Sequence, residues 1–267
     1  YYDKIRPHRE WMMGQPHEDV YIQSQDGLKL HGTYFKGAEG TKAVICFHGY
    51  TSEALADYGS ISNFYLKRGY RMLLVDARAH GKSEGKYIGF GCVDRFDALG
   101  WIQWLLDKIG ENAQILLHGD SMGGATVLMA GALALPPQVK GIIADCGYTS
   151  PEDIIKKNIR ELHFPMWPTY PLVRLGARMY GHFNMEETSA IEGVETGKLP
   201  VLFIHGDKDS VVPYAMCESL YGACRSRKKR LTVQGADHAV CSLAATNDYV
   251  QAILSFAEGL INEETTG

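Results

Sequence analysis

The chain has 267 residues, of which 45% are hydrophobic and 22% are charged, and its formal net charge at pH 7 is -4. This composition is typical of one large globular domain with a substantial core. The charge gives no indication of a nucleic-acid partner or of an anionic membrane surface, and no apolar run approaches the ~20 residues of a spanning helix. We therefore predict a protein without nucleic-acid partners or a membrane span in this chain, and its oligomeric state stays open.

The six cysteines form no C-x-x-C pair and no paired spacing. Buried free thiols in a reducing compartment are expected, which favours a cytoplasmic protein. Cys224 and Cys241 lack clustered His or Cys partners, so neither a metal nor a cofactor is predicted. The chain begins at Tyr1 rather than at Met. We therefore expect that a segment before it was removed, and a signal or anchor there would lie outside this sequence.

The chain opens with two alternating segments, residues 18–25 and 28–35, joined by Asp26-Gly27. They predict an antiparallel pair of strands. Short apolar runs typical of strands buried on both faces of a parallel sheet follow at 42–47, 70–75, 115–117, 139–144, 199–205 and 230–233. Helical periodicity separates them. The faces that we expect to point to the core are Ile61, Phe64 and Tyr65, then Phe96, Leu99, Ile102 and Leu106, and finally Val250, Ile253, Leu254 and Ala257.

This alternation indicates a doubly wound α/β sheet of about eight strands, mostly parallel, in a single domain over residues 1–267. The alternation breaks between residues 149 and 197, which predicts an insertion. Its first helix begins with Ser150-Pro151 and two acids, and a second runs over about 170–181. We expect a small helical cap over the carboxyl edge of the sheet. The basic run 225–230 is interpreted as a solvated turn, and 263–267 as a polar tail.

Residues 119–123 read Gly-Asp-Ser-Met-Gly, between an apolar strand and a packed helix that begins near Ala125. The G-x-S-x-G pattern alone arises by chance in Gly- and Ser-rich loops. Its place at a strand-to-helix turn is what indicates a nucleophilic serine, Ser121, held clear of the sheet. Such a turn strains the backbone and needs glycine on either side, here Gly119 and Gly123.

An activated serine needs a base and a carboxylate, which in this architecture follow it in the order Ser, acid, His. His163 and His182 lie in the expected cap and His205 lies on a core strand. His238 stands in a loop after the last predicted strand, from which an imidazole can reach the serine. We therefore predict His238 as the base. As an isolated residue, it would read as an ordinary loop histidine.

The carboxylate is expected at the end of the preceding strand, where His205-Gly-Asp-Lys-Asp209 offers two. Asp209 is favoured, and Asp207 and Asp145 are alternatives. As an isolated residue, Asp209 would read as a helix cap before Pro213. The backbone N–H groups of Met122 and Tyr50 are expected to bind the oxyanion.

Several segments together resemble an alpha/beta-hydrolase of the group that includes serine-aminopeptidase-like and Bem46-like hydrolases and short-chain or cinnamoyl esterases. The resemblance implies a serine hydrolase with the alpha/beta-hydrolase fold and no cofactor. The chain departs from the family pattern at Asp120, where His is common, and at Ala79, where Gly is common. Asp120 is expected to add negative charge beside the site. The matching segments are 26–30, His48-Gly49, 76–83, 119–124, 205–209, Val212-Pro213 and Asp237-His238.

The resemblance implies hydrolysis of a carboxylic ester through an acyl-enzyme. The expected cap is short, so it can cover a pocket but is not expected to enclose a long acyl tunnel, which predicts a small or aromatic acyl group. An aminopeptidase-type or amide hydrolase, or an acyltransferase, remains an alternative on the same triad. His48 is interpreted as a structural brace. In the cap, Phe164, Met166 and Trp167 either line the substrate pocket or join the cap to the core. An aminopeptidase would use cap carboxylates to hold the substrate amine, for which the candidates are Glu152, Asp153, Glu161, Glu186 and Glu187.

Overall fold

A computed structural model describes residues 2–37 and 39–261, without the side chains of Tyr2 and Asp3. The polar tail predicted at 263–267 lies outside the described residues. The strands are β1 (His17–Gln23), β2 (Lys29–Phe35), β3 (Lys42–Phe47), β4 (Arg71–Val75), β5 (Gln114–Asp120), β6 (Val139–Asp145), β7 (Val201–Gly206) and β8 (Lys228–Val233). The helices are α1 (Tyr2–Met13), α2 (Ala54–Lys67), α3 (Asp94–Ile109), α4 (Met122–Ala130), α5 (Pro151–Glu161), α6 (Met166–Tyr180), α7 (Ala190–Thr196), α8 (Tyr214–Ala223), α9 (Cys241–Ala244) and α10 (Thr246–Ala257).

The strands form one sheet of eight in the order β1-β2-β4-β3-β5-β6-β7-β8. The β1/β2 and β2/β4 pairs are antiparallel and the other pairs are parallel. Every residue of β5 and of β7 is buried, as expected for central strands covered by helices on both faces. The predicted doubly wound, mostly parallel sheet is confirmed.

Each face of the sheet carries its own hydrophobic core. On one face, Trp101 of α3, Val127 of α4 and Leu220 of α8 pack over the strands. On the other, Tyr58 of α2 and Phe256 of α10 do so. The parallel strands therefore end together at one carboxyl edge, where loops from β3, β5, β6 and β7 meet.

Two helices face the core with different residues from those that the sequence predicts. In α3 the buried apolar face is Ala98, Trp101, Ile102 and Leu105, and in α10 it includes Tyr249, Ile253, Phe256 and Ala257. Phe96, Leu99, Leu106, Val250 and Leu254 are only partly buried. Both helices are rotated so that a large ring enters the core, because burial of a Trp or Tyr ring removes more apolar area from water than burial of a Leu does.

Helices α1 and α7 have no counterpart in the sequence-based prediction. Helix α1 packs against α2 through buried Ile5 and Met12. Helix α7 packs against α4 through Ala190 and Val194, so it belongs to the layer beside the sheet. The part of residues 149–197 that departs from the alternating pattern is therefore α5 and α6.

The basic run is only partly a turn, because Lys228, Lys229 and Arg230 form the start of the edge strand β8. Lys228 Nζ donates to the carbonyl oxygens of Tyr221 and Cys224 at 2.6 and 2.8 Å. Charged side chains on an edge strand oppose pairing with another chain. Within residues 2–37 and 39–261, no helix has the length and hydropathy needed to cross a membrane.

The cap helices begin as the local sequence dictates. The Ser150 hydroxyl accepts the Asp153 N–H at 3.0 Å, and Pro151 occupies the first position of α5. Tyr170 of α6 packs with Ile159 of α5 and with Phe183 and Met185 in a small separate cluster. This cluster, the cap core, also contains Cys92, so the cap helices pack against the segment that precedes α3.

Candidate active site

Ser121 lies at the junction of β5 and α4 with φ 52° and ψ -111°, a backbone conformation that residues other than glycine rarely adopt. A Cβ on Gly119 would lie 2.1 Å from the Gly123 carbonyl oxygen, and one on Gly123 would lie 1.9 Å from the Phe47 carbonyl oxygen. Both glycines are therefore required by close backbone approach. The turn has the strained geometry that the sequence predicts.

A continuous chain of hydrogen bonds joins three of the predicted residues. Ser121 Oγ lies 2.8 Å from His238 Nε2, and His238 Nδ1 lies 2.8 Å from Asp209 Oδ2. The other oxygen of Asp209, Oδ1, accepts the backbone N–H groups of Val211 and Val212 at 2.9 and 2.7 Å. The side chains come from loops after three different strands and meet at the carboxyl edge of the sheet.

The Asp209 side chain is fully buried, which by itself would raise its pKa. Hydrogen bonds from His205 and His238 and from the backbone outweigh burial and hold the pKa of Asp209 well below its ordinary value. Asp209 is therefore a carboxylate at neutral pH.

The alternative acids occupy other positions. Asp207 Oδ1 accepts the Gly235 N–H at 2.6 Å and so holds the loop that leads to His238. Asp145 Oδ2 accepts the Tyr249 hydroxyl at 2.9 Å, and burial raises the pKa of Asp145 to about 6. The structure brings Asp209, rather than Asp207 or Asp145, to the His238 imidazole.

A second histidine contacts the same carboxylate. His205 Nε2 lies 3.2 Å from Asp209 Oδ2 and 2.9 Å from the Val212 carbonyl oxygen. Because both neighbours are acceptors, Nε2 must carry a hydrogen. Burial lowers the pKa of His205, but the hydrogen bond to Asp209 and contacts with Cys217 and Val212 raise it overall to about 10. The sequence predicts His205 only as a residue of a core strand, and its spacing of four from Asp209 is the signal that could have linked the two side chains.

Asp237, which the sequence resemblance includes only as the neighbour of His238, also acts on this site. Its Oδ1 accepts the Ser210 N–H and hydroxyl at 2.8 Å and the His238 N–H at 2.8 Å. Asp237 therefore joins the loop that carries Asp209 to the loop that carries His238. The adjacent Asp-His pair was the available signal in the sequence.

The loop after β3 lies directly against the serine. A Cβ on Gly49 would lie 3.3 Å from the Ser121 Cβ. Asp57, in the first turn of α2, accepts the Gly49 N–H at 2.9 Å and the Ser52 hydroxyl at 2.6 Å. Among the described residues, no acceptor takes the N–H of Tyr50 or that of Met122. Both predicted oxyanion donors are thus unengaged.

Two histidines brace this loop from behind. His48 Nε2 accepts the Ala77 N–H at 3.0 Å, and its Nδ1 donates to the Gly49 carbonyl at 2.7 Å. His80 Nε2 accepts the Thr51 N–H at 3.1 Å. The hydrogen bonds that His48 makes are those of a structural brace. Ala77 and His80, both in segment 76–83, support the same loop. Neither imidazole contacts Ser121 in the hydrogen-bond network.

Asp120 differs from the expectation of a negative charge beside the serine. Its carboxyl is buried and accepts the Cys146 thiol at 3.0 Å. Burial, together with the neighbouring Asp57 and Asp145, raises the pKa of Asp120 well above its ordinary value. The negative charge expected at Asp120 is therefore suppressed.

Two family models match the chain. One describes the alpha/beta hydrolase fold and covers residues 42–179, which is more than half of the chain. The other describes a serine hydrolase and covers residues 118–250. The chain belongs to the alpha/beta hydrolase family. Both matched regions include the Ser121 turn, and the second also includes Asp209 and His238.

Relatives support this assignment over most of the chain. YqkD of Bacillus subtilis, named only as uncharacterized, is 26% identical over 245 residues, which are 91% of this hydrolase and 80% of YqkD. Protein bem46 of Schizosaccharomyces pombe is 28% identical over 219 residues, 80% of this chain and 68% of bem46. The solved structure of the Pyrococcus furiosus esterase Pf2001 aligns with a TM-score of 0.74 at 24% identity, covering 94% of this chain and 96% of that one. At that identity the structural likeness concerns the fold.

The described cysteines of this alpha/beta hydrolase are all buried and free. Two clusters among the described residues have side chains close enough to hold a metal ion, Cys146 with Asp209 and His238, and Cys146 with Asp120 and Asp145. In the first, Asp209 and His238 already bond each other and Ser121. In the second, the Cys146 thiol already donates to Asp120. Neither cluster includes Cys224 or Cys241.

The three cap residues with a predicted substrate role lie in different surroundings. Trp167 and Phe164 are 77% and 58% exposed, whereas Met166 is partly buried against the core of the cap. No contact places any of the three at Ser121. Their role in substrate binding stays a prediction.

The cap carboxylates are mostly paired with cations. Glu152 pairs with Lys156 and Glu161 with Lys157. Arg174 and Arg95 lie 2.9 and 3.1 Å from Glu186 and Glu187, respectively. Asp153 accepts the Thr149 hydroxyl at 2.7 Å. Four of the five candidate acids are thus neutralised before any substrate amine arrives.

Proposed function

We propose that this alpha/beta hydrolase cleaves carboxylic esters through an acyl-enzyme, with Ser121 as nucleophile, His238 as base and Asp209 as the orienting carboxylate. The observation that carries the proposal is the hydrogen-bond chain from Ser121 Oγ through the His238 ring to Asp209 Oδ2. In water, a serine hydroxyl is a poor nucleophile. An imidazole held at 2.8 Å, with its far nitrogen on a buried carboxylate, removes that limitation.

Each group has a defined part in the reaction. Ionised Asp209 accepts the Nδ1–H of His238, so the Nε2 lone pair points at Ser121 Oγ. His238 takes the hydroxyl proton as Ser121 attacks the ester carbonyl, and returns it to the leaving alcohol. The N–H groups of Tyr50 and Met122 stabilise the oxyanion. Water then repeats the sequence on the acyl-enzyme and releases the acid.

The surroundings favour an ester over an aminoacyl amide. An aminopeptidase needs a carboxylate free to bind the substrate amine, and four of the five cap acids already have cationic partners. The esterase name of Pf2001, whose fold this chain shares, is consistent with the ester reaction. An acyltransferase would use the same triad, and only the identity of the second nucleophile would distinguish it.

For the acyl group we propose small or aromatic chains. The Tyr50 ring stacks on Phe90 with centroids 5.6 Å apart and planes within 20°. Tyr50 is 53% exposed, so the pair presents a flat apolar surface beside the proposed oxyanion donors. Such a surface suits a planar acyl group.

The decisive experiment combines covalent labelling with substrate panels. Wild type and Ser121→Ala are treated with a fluorophosphonate probe, then assayed with p-nitrophenyl and hydroxycinnamate esters and with aminoacyl anilides. We expect labelling and ester turnover in the wild type only, with a loss on the order of 10³-fold or more in the variant. Thermal unfolding shows that the variant is folded.

Either of two results would overturn the proposal. Turnover of p-nitrophenyl acetate by folded Ser121→Ala at nearly the wild-type rate would exclude the serine mechanism. Faster turnover of aminoacyl anilides than of every ester would reassign the enzyme to amide substrates.

A further inference from the structure

The outer face of α6 (Met166–Tyr180) is an exposed apolar surface. Six of its large hydrophobic side chains are between 37% and 77% exposed, namely Trp167, Leu172, Val173, Leu175, Met179 and Tyr180. Scattered exposed apolar residues are ordinary, but five on the continuous turns of one helix, with Trp167 at the kink near its start, form a patch of the kind that marks an interaction site. We call this set the α6 patch.

The patch is the unpartnered side of a helix whose other side is already packed. Tyr170 is buried in the cap core, and Ala177 packs against the same core. Leu172, Leu175 and Met179 follow at spacings of three and four, so they share the opposite stripe of the helix. Core packing therefore explains one side of α6 and leaves the apolar outer side without a function.

The charges near the α6 patch differ in sign from the charge of the whole protein. Helix α6 itself carries two arginines and no acid, a net of +2, whereas the whole chain has -4. Glu161 pairs with Lys157 and Arg174 pairs with Glu186. Arg160 forms no ion pair among the described residues, and Arg178 bonds the uncharged Asn184 at 3.2 Å. Arg178 on α6 and Arg160 on the preceding helix α5 therefore lack an acidic partner among the described residues.

We propose that the α6 patch docks the cap on a bilayer surface that contains anionic lipids. A helix that lies in the plane of a membrane has Leu and Trp on one face and Arg or Lys beside it. Trp167 and Tyr180, at the two ends of the helix, have the amphipathic rings that settle at the level of the lipid headgroups. Arg160 and Arg178 attract the anionic headgroups.

The same charges disfavour a second copy of this chain as the occupant. In a twofold contact each patch meets its own equivalent, so Arg178 and Arg160 would approach like charges. An anionic bilayer gains from these arginines and also covers the apolar stripe. The proposal does not rest on the ester chemistry, because the α6 patch contains none of the proposed catalytic groups.

The test measures co-sedimentation with vesicles on a Ser121→Ala background, so that hydrolysis of lipid cannot affect binding. Vesicles of phosphatidylcholine alone are compared with vesicles that also contain phosphatidylglycerol. The first variant is Leu172→Ser with Leu175→Ser, and the second is Arg160→Gln with Arg178→Gln. Met13→Ser, an exposed apolar residue on α1, is the matched control.

We expect binding to the phosphatidylglycerol vesicles, at least tenfold weaker binding for the leucine variant, and wild-type binding for Met13→Ser. The arginine variant should bind more weakly and lose most of its dependence on salt. With the catalytic serine restored, the leucine variant should retain p-nitrophenyl acetate turnover.

Three results would overturn the proposal. The first is no vesicle binding by the folded protein, and the second is binding that is equal with and without phosphatidylglycerol. The third is a dimer, detected by light scattering, that the leucine variant abolishes while vesicle binding stays absent. That last result would assign the α6 patch to a second copy of the chain.

Discussion

Asp57 accepts the backbone N–H of Gly49 at 2.9 Å, and this contact holds the loop of Tyr50 against Ser121. Its other oxygen accepts the Ser52 hydroxyl, so the carboxyl of this partly buried residue fixes both ends of a short turn. Burial raises the pKa of Asp57 above its ordinary value. The proposed oxyanion donor at Tyr50 is therefore positioned by Asp57, which is not one of the proposed catalytic groups.

Replacement of Asp57 by Ala should loosen the Tyr50 turn and misplace its N–H. Loss of one oxyanion donor costs about 10² to 10³-fold in kcat, so a misplaced donor should cost roughly tenfold to a hundredfold with little change in KM. Asp57→Asn keeps a carbonyl acceptor for the Gly49 N–H and should retain most of the activity. Equal losses in the two variants would show that the carboxyl, rather than the acceptor, is required.

The two aspartates after β7 provide a matched pair for the triad acid. Asp209→Asn should lower kcat by about 10³ to 10⁴-fold, because an amide cannot stabilise the charged imidazole or select its tautomer. Asp207→Asn retains an acceptor for the Gly235 N–H and should lose less than about threefold. Steady-state kinetics on a soluble ester decide between them, and the reverse order of losses would reassign the acid.

His205 links stability to pH. Its pKa is raised to about 10 from an ordinary value of about 6.5, so its protonation stabilises the folded state fully below about pH 6.5. This stabilisation is lost as the pH rises from about 6.5 to about 10. Asp209 affects stability in the opposite direction. Because its pKa is lowered in the folded state, its ionisation stabilises the fold at any pH above its ordinary pKa, and this stabilisation is lost as the pH falls into the acid range.

His205→Gln keeps an N–H donor for Asp209 but cannot titrate. We expect the midpoint of thermal unfolding to fall less between about pH 7 and pH 10 in this variant than in the wild type. Parallel curves for the two proteins would show that His205 does not gain a proton on folding.

The acyl preference can be tested at Tyr50, whose ring can be removed without loss of its backbone N–H. Tyr50→Ala should raise KM for a hydroxycinnamate ester by about fivefold, since an aromatic contact contributes about 1 kcal/mol, and should leave an acetyl ester nearly unaffected. Trp167→Ala is the comparison, because that side chain was predicted to line the pocket. A series of esters from acetyl to palmitoyl on all three proteins gives the profile.

A preference of the wild type for acyl chains longer than about ten carbons would contradict the small pocket. An altered chain-length profile in Trp167→Ala would place that ring in the substrate pocket despite its exposure. An unchanged profile would leave it as a surface residue.

The local sequence was sufficient to predict a feature wherever backbone geometry allows only one type of residue. A Cβ atom on Gly119 or on Gly123 would lie only 2.1 or 1.9 Å from a backbone oxygen, so both positions must be glycine. The serine turn is therefore recognisable in the sequence as G-x-S-x-G. The alternation of apolar strands and periodic helices likewise predicted the eight-stranded sheet, because burial on both faces requires continuous apolar runs. The order Ser, acid, His named the three side chains that the structure brings together.

Contacts between distant segments were decided only by the tertiary structure. Trp101 and Tyr249 enter the cores on the two faces of the sheet, and which side of each helix meets the sheet depends on segments far away in the chain. The net charge of -4 concealed the local excess of arginine beside α6, because a sum over the chain carries no positions. The charge of Asp120 was likewise decided only by the tertiary structure. Its sequence position suggested a charge, but its burial, which depends on residues far away in the chain, raises its pKa and suppresses that charge.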